Sequence, residues 1–340
     1  MLRSVTCLTA AAMLIAPTGR PVPPNGVALA YYKQALGLIK QHHRKSSKAD
    51  WAMIEPRARA LLAAAKQPSD TYRAIRFLLA SLNEPHSFLA EPESSSGEKP
   101  NRQSEATAGP MPTATLPMSR LVENKFGYLY LPGLNTLGSD GPALGLRYSS
   151  TLRTALLDMD KHNLCGFIVD LRGNNGGNMW PMLQGLDPLL GGPPFGYFVL
   201  PDRTKQEWTR RAGNIVYSAV STGATSPTFS LRHASAPLAV LIGSQTASSG
   251  EMAAIAFIGR ANTRIFGSPS AGFTSANKVY RLSDGAALAL TETAVQDRFG
   301  KEYVGPIVPD EQVDGSDLES VVNNWLSSQC TKATTGENSK

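Results

Sequence analysis

One serine-bearing turn, one glycine-rich loop and one histidine carry the covalent chemistry open to this chain. The segment 243–252 follows an apolar, strand-like run and precedes an apolar, helix-like one, and it contains Thr246, Ala247, Ser248, Ser249 and Glu251. A serine at such a junction projects its hydroxyl above the strand ends, where the next residue's N–H and the helix dipole favour negative charge. An acyl-transfer nucleophile needs that geometry. Ser248 or Ser249 with Glu251 in the first turn would equally cap a helix, and the GxSxG elbow of standard α/β-hydrolases is absent.

The glycine-rich loop follows a second apolar strand. Gly173, Asn174, Asn175, Gly176 and Gly177 in succession call for unusual dihedrals or close approach. Such a loop can aim successive N–H groups at one point and hold a developing oxyanion; an ordinary strand–helix turn is the simpler use. Its spacing matches neither GxGxxG nor GxxxxGK[ST], which disfavours phosphate cradling. Of the five histidines, His42 and His43 sit at a cationic helix end, His162 ends a helix and His233 lies in a polar connector. Only His86 combines a loop position with flanking Pro85, Ser87 and Phe88. No CxxC pair or HExxH helix supports a metal site, and no cofactor is expected.

These segments need a scaffold of matching polarity. Residues 28–43, 50–66 and 69–82 read as three helices, the last with Ile75, Leu78, Leu79 and Leu82 at helical spacing and a stop at Pro85. Apolar strands at 127–131, 166–171, 237–243, 263–266 and 286–290 alternate with helices at 145–162 and 249–259, which argues for an α/β domain of largely parallel, buried strands. The expected organisation is a signal peptide or N-terminal anchor over 1–25, a helical subdomain over 26–90 and a linker over 91–112. A core over 113–330 and a disordered tail over 331–340 complete it.

The apolar run 5–16 after Arg3 reads as a secretory signal and is too short to span a membrane, so an exported, soluble mature protein is expected. Two cysteines beyond it make no disulfide framework. A single bond is open to them in an oxidising compartment, although a buried free thiol at Cys165 is the plainer expectation. Net charge is +6, with the cations scattered and no aromatic-interleaved basic stripe, which weighs against nucleic acid. Peripheral membrane or cell-wall contact stays open.

Taken in order, Asp170 to Gly177, Thr246 to Glu251, Phe266 to Gly272 and Pro306 to Asp310, with Pro85 to Phe88 ahead, resemble the motif set of the tail-specific, C-terminal-processing (S41-type) peptidases. The resemblance covers most of residues 28–315. It implies a crotonase-like β/α superhelix, a peptide or protein substrate and hydrolysis through an acyl-enzyme. Ser248 takes the nucleophile's place. The N–H of Ser249, with that of Gly176 or Gly177, takes the oxyanion hole, and Glu251 has a structural role. The Ser–Lys branch carries a lysine after the Phe-Gly motif; none stands at 268–272, and Lys278 lies too far downstream. The tricorn-like branch takes its base from the helical segment ahead of the core, where His86 fits. Glu302 or Glu292 are candidates for that branch's distant carboxylate, and Glu302 is preferred. The family's PDZ module has no room between Phe88 and the strand at 127. The competing expectation is a non-catalytic relative that holds peptides or lipophilic ligands.

Overall fold

The computed structural model describes residues 22–92, 116–211, 213–217, 220–221 and 229–335. The expected signal segment through residue 21, most of the linker and residues 336–340 lie outside the described residues. In chain order the elements are α1 (Gly26–His42), α2 (Trp51–Ala60), α3 (Tyr72–Ser81), β1 (Phe88–Ala90), β2 (Met118–Val122), β3 (Phe126–Tyr130) and α4 (Gly141–Met159). Then come β4 (Gly166–Asp170), α5 (Met179–Leu186), β5 (Gly196–Val199), β6 (Lys205–Arg211), β7 (Asn214–Tyr217), β8 (Val220–Ser221), β9 (Leu238–Ile242) and α6 (Ser249–Phe257). The chain closes with β10 (Thr263–Gly267), β11 (Ser275–Arg281), β12 (Ala287–Gln296), β13 (Glu302–Tyr303), β14 (Glu311–Gln312) and α7 (Asp317–Thr335).

Two sheets organise the chain. One runs β14-β10-β9-β4-β3-β2 and is parallel except for the β2–β3 pair. Its central strands are buried on both faces, which is why they read as unbroken apolar runs. Phe167, Val169, Val240 and Ile242 face α4, α5 and α6, whereas Ile168, Ala239 and Leu241 face Leu318, Val322 and Leu326 of α7. The second sheet, β1-β12-β5-β6-β7-β8 with β11 and β13 also on β12, is antiparallel. The helical N-terminal segment packs on it: Ile75, Leu78 and Leu79 share a core with Leu288 and Leu290.

The three N-terminal helices occur where expected, but α2 stops at Ala60, and a turn with Ala64 at positive φ follows. Helix α7 extends through Thr335, past the tail boundary set at 331. One expectation is corrected outright. Cys165 is not a free thiol: it is bonded to Cys330, tying α7 to the sheet across a sequence separation of 165 residues. The apolar surroundings that suggested a buried thiol are the underside of α7 itself. Closing so long a loop restricts the unfolded chain, so replacing both cysteines with serine is expected to lower stability by about 3 kcal/mol. Chemical denaturation of the two forms checks this.

Candidate functional site

Ser248 stands at the turn between β9 and α6. The turn is pinned from both sides: Thr246 Oγ1 accepts the Gly243 N–H at 2.9 Å and donates to Leu171 O at 2.8 Å, and Ala247 N–H donates to Asn174 O at 2.9 Å. Ser248 itself has φ 52° and ψ −116°. A non-glycine residue there costs on the order of 1–3 kcal/mol, and such strain persists only when the surroundings enforce it. Here Glu251 does so. Its fully buried carboxylate accepts the Ser248 N–H at 2.8 Å through one oxygen, and Ser270 Oγ at 2.5 Å and Gly272 N–H at 2.7 Å through the other. Burial raises its pKa, and these donors oppose the rise. The backbone thus has the strained strand-to-helix bend of a nucleophile elbow without that motif's sequence.

The glycine-rich loop lies against the same turn. Gly176 and Gly177 have φ of 104° and 110°. A Cβ on Gly176 would come within 2.9 Å of Ser248 Cβ and 3.4 Å of its Oγ, and one on Gly177 within 2.0 Å of Leu134 O. The two amides differ in use. Gly176 N–H is taken by Asn174 Oδ1 at 3.0 Å. Among the described residues, the N–H groups of Gly177 and Ser249 donate to no protein atom, while Ser249 Oγ donates to Gly177 O at 2.6 Å and ties the two residues together. Of the two glycine amides that sequence left open, the one still able to meet a ligand belongs to Gly177.

His86 arrives from the loop that leaves α3. Its ring is buried, with Nε2 3.0 Å from Ser248 Oγ and Nδ1 2.9 Å from Ser275 Oγ, and Phe273 packs on it at a centroid distance of 5.3 Å. The loop is fixed by polar contacts with the second sheet. Asn277 Nδ2 donates to His86 O at 2.7 Å, Ser87 Oγ donates to Thr291 Oγ1 at 3.0 Å, and Thr291 N–H returns a bond to Ser87 Oγ at 2.9 Å. For Nε2 to accept the Ser248 proton, Nδ1 must carry the ring's hydrogen and donate it to Ser275.

The carboxylates offered by sequence are elsewhere. Glu302 faces Arg203 at 3.4 Å and Arg44 at 4.0 Å, and Glu292 pairs with the Tyr280 hydroxyl and, at 3.6 Å, with His42. Neither bonds to the ring, so Glu302 is set aside as its orienting group. Lys278 lies over the Tyr280 ring. Ser275, which does hold the ring, is not singled out by sequence because its strand is short of apolar residues.

Burial depresses the His86 pKa to about 4. The neutral ring therefore persists well below pH 6.5, and the acidic limb of any activity depending on it is expected near pH 4 in a kcat/KM profile. Because the unfolded chain binds a proton there at higher pH than the folded one, stability should be lost as pH falls from about 6.5 to about 4. Gly176→Ala forces a Cβ toward Ser248 and is expected to lower kcat/KM roughly 100-fold, the usual cost of displacing a reacting atom by about 1 Å. Steady-state kinetics checks the two rate effects, and denaturation across that pH range checks the stability.

Comparison with known proteins bears on this geometry. The signature of peptidase family S41 matches residues 125–313, which span both the glycine-rich loop and the serine turn. The nisin-resistance protein of Lactococcus lactis subsp. lactis is 38% identical over 185 residues, 54% of this chain and 55% of that one. Carboxyl-terminal-processing peptidase 2, chloroplastic, of Arabidopsis thaliana is 30% identical over 196 residues, 53% of this chain and 33% of that one. The chain thus covers about half the length of the first and a third of the second. A lipoprotein from Streptococcus agalactiae has the same fold with a TM-score of 0.70 at 24% identity, over 90% of this chain and 98% of that chain. The photosystem II D1 C-terminal processing protease follows at a TM-score of 0.55 and 16% identity, over 88% of this chain and 96% of that chain. With more than half of its residues inside the family signature, this chain belongs to peptidase family S41.

Proposed function

We propose that this protein is a serine peptidase that cleaves peptide bonds through an acyl-enzyme on Ser248. The observation that carries the reading is the 3.0 Å contact between His86 Nε2 and Ser248 Oγ, made beside two amides that donate to no protein atom among the described residues. His86 takes the hydroxyl proton as Oγ bonds to the amide carbon. The carbonyl oxygen becomes an oxyanion held by Gly177 N–H and Ser249 N–H, each worth roughly 3 kcal/mol in comparable sites. When the C–N bond breaks, His86 returns the proton to the leaving amine. Water then attacks the ester with the same base, and the acid product leaves.

Ser275 is the positioning residue in this scheme. A neutral hydroxyl stands where many hydrolases place a carboxylate, so the ring is oriented and its tautomer fixed without a buried counter-charge. The histidine base supports a reading of the enzyme as similar to the histidine-using, tricorn-like branch of the family, on a crotonase-like scaffold, and the short span from Phe88 to β3 supports one with no PDZ module inserted there. Its substrates are peptides or proteins. The relative named for nisin resistance makes nisin the first to test, and that relative, the lipoprotein and the disulfide together favour an exported or cell-envelope location. One observation favours a second reading as a non-catalytic peptide binder: no carboxylate bonds to His86 among the described residues.

Fluorophosphonate labelling separates the two. Labelling should occur in the wild type, vanish in Ser248→Ala and persist in Ser249→Ala; an unlabelled wild type would support the binder. Ser275→Ala should lower kcat about 10- to 100-fold with KM little changed, and Ser275→Thr should restore most of it. A purely structural Ser275 would instead lower the melting temperature and leave kcat intact.

A further inference from the structure

The net positive charge proves to be segregated rather than scattered. Residues 22–92 hold ten Lys or Arg against five Asp or Glu, whereas residues 116–340 hold nineteen of each sign. The excess therefore sits on α1, α2, α3 and their connections. Helices α1 and α2 lie side by side and antiparallel. Asn25, the cap of α1, donates to Ala65 O and Lys66 O beyond the end of α2, while Lys40 near the end of α1 pairs with Glu55 and lies over the Trp51 ring at the start of α2. Their inner faces bury Tyr32, Ala35, Ile39 and Ala58.

The outer face has a different character. Lys33, Arg57 and Arg59 are exposed, the two arginines flanking the Met53–Ala60 stripe of α2 from opposite sides, and none forms an ion pair among the described residues. Interspersed with them are large apolar side chains facing water: Val22 at 63%, Val27 at 64% and Met53 at 53% exposure. Met53, Arg57 and Ala60 share one face of α2 by helical spacing. A single exposed valine needs no explanation, but three large apolar groups among unpaired cations form the pattern of an interfacial helix, cationic and apolar together. The chain also enters here. Val22 O accepts the Ala64 N–H at 2.8 Å, and the apolar run 5–16 lies a few residues ahead of it.

We propose that the outer face of α1 and α2 rests on an anionic lipid membrane. Lys33, Arg57 and Arg59 lie at the level of the lipid phosphates, and Val22, Val27 and Met53 enter the boundary between headgroups and acyl chains. Each cation near such a surface contributes an attraction that salt screens, and the apolar groups add burial that salt does not weaken. This surface is separate from the peptidase site and stands whether or not Ser248 is a nucleophile.

Hydrogen exchange on the full chain tests it by location, so a contribution from the N-terminal apolar run does not mask the result. With vesicles of phosphatidylcholine containing about 30% phosphatidylglycerol at about 0.1 M salt, amides of 22–34 and 51–66 should exchange at least roughly threefold more slowly. Pure phosphatidylcholine vesicles should give no such protection, and peptides from β9 and α7 should not change. The protection should disappear in the combined Lys33→Glu, Arg57→Glu, Arg59→Glu variant. Unchanged exchange in 51–66, equal protection by pure phosphatidylcholine, or protection by soluble polyphosphate without any by vesicles would each overturn the assignment.

Discussion

The structure turns on a contact between two groups that the chain keeps 162 positions apart: the Ser248 hydroxyl and the His86 imidazole, 3.0 Å from each other. Each belongs to a different sheet. Ser248 rides on the parallel sheet at the end of β9, and His86 is fixed to the antiparallel sheet through Ser275 and Asn277 of β11 and, by way of Ser87, Thr291 of β12. The site is therefore only as well formed as the packing of one sheet against the other. The shared core, in which Val169, Val240 and Ile242 of the first sheet meet Phe198, Trp208 and Val295 of the second, supplies that packing.

Holding Ser248 at positive φ demands a local counterweight, and the fully buried Glu251 provides it. A buried carboxylate is costly unless its oxygens are occupied, and here backbone amides of Ser248 and Gly272 and the Ser270 hydroxyl occupy them. The same bonds tie the nucleophile's turn to the 270–272 segment that follows β10. His86, by contrast, is buried with neutral partners only, which keeps it unprotonated and ready to accept. One site thus holds a carboxylate made tolerable by donors and an imidazole kept neutral by burial, with its tautomer set by Ser275.

Much of this was legible in the sequence. Strands β4 and β9 show as unbroken apolar runs because both their faces are covered, and the serine turn and glycine loop stand out because they follow those runs directly. His86 was found by elimination among five histidines and by the proline-marked loop after α3. The antiparallel sheet was mostly missed: β6 and β11 carry Lys205, Glu207, Arg211, Lys278 and Arg281 on solvated positions, so their period is hidden by charge. Losing β11 meant losing Ser275, and Glu302 took its place only because the family pattern asks for a carboxylate. The Cys165–Cys330 bond is open to the sequence but not preferred by it, since a pairing across 165 positions leaves no local trace.

The account asserts that the buried imidazole activates the hydroxyl, not merely that the two are close. The rate at which a fluorophosphonate modifies Ser248 in His86→Ala, compared with the wild type, tests that claim most directly. A fall of roughly 100-fold or more, with the melting temperature preserved, is the result expected of a lost general base. An unchanged rate in a folded variant would contradict it, because the serine would then owe its reactivity to something other than His86.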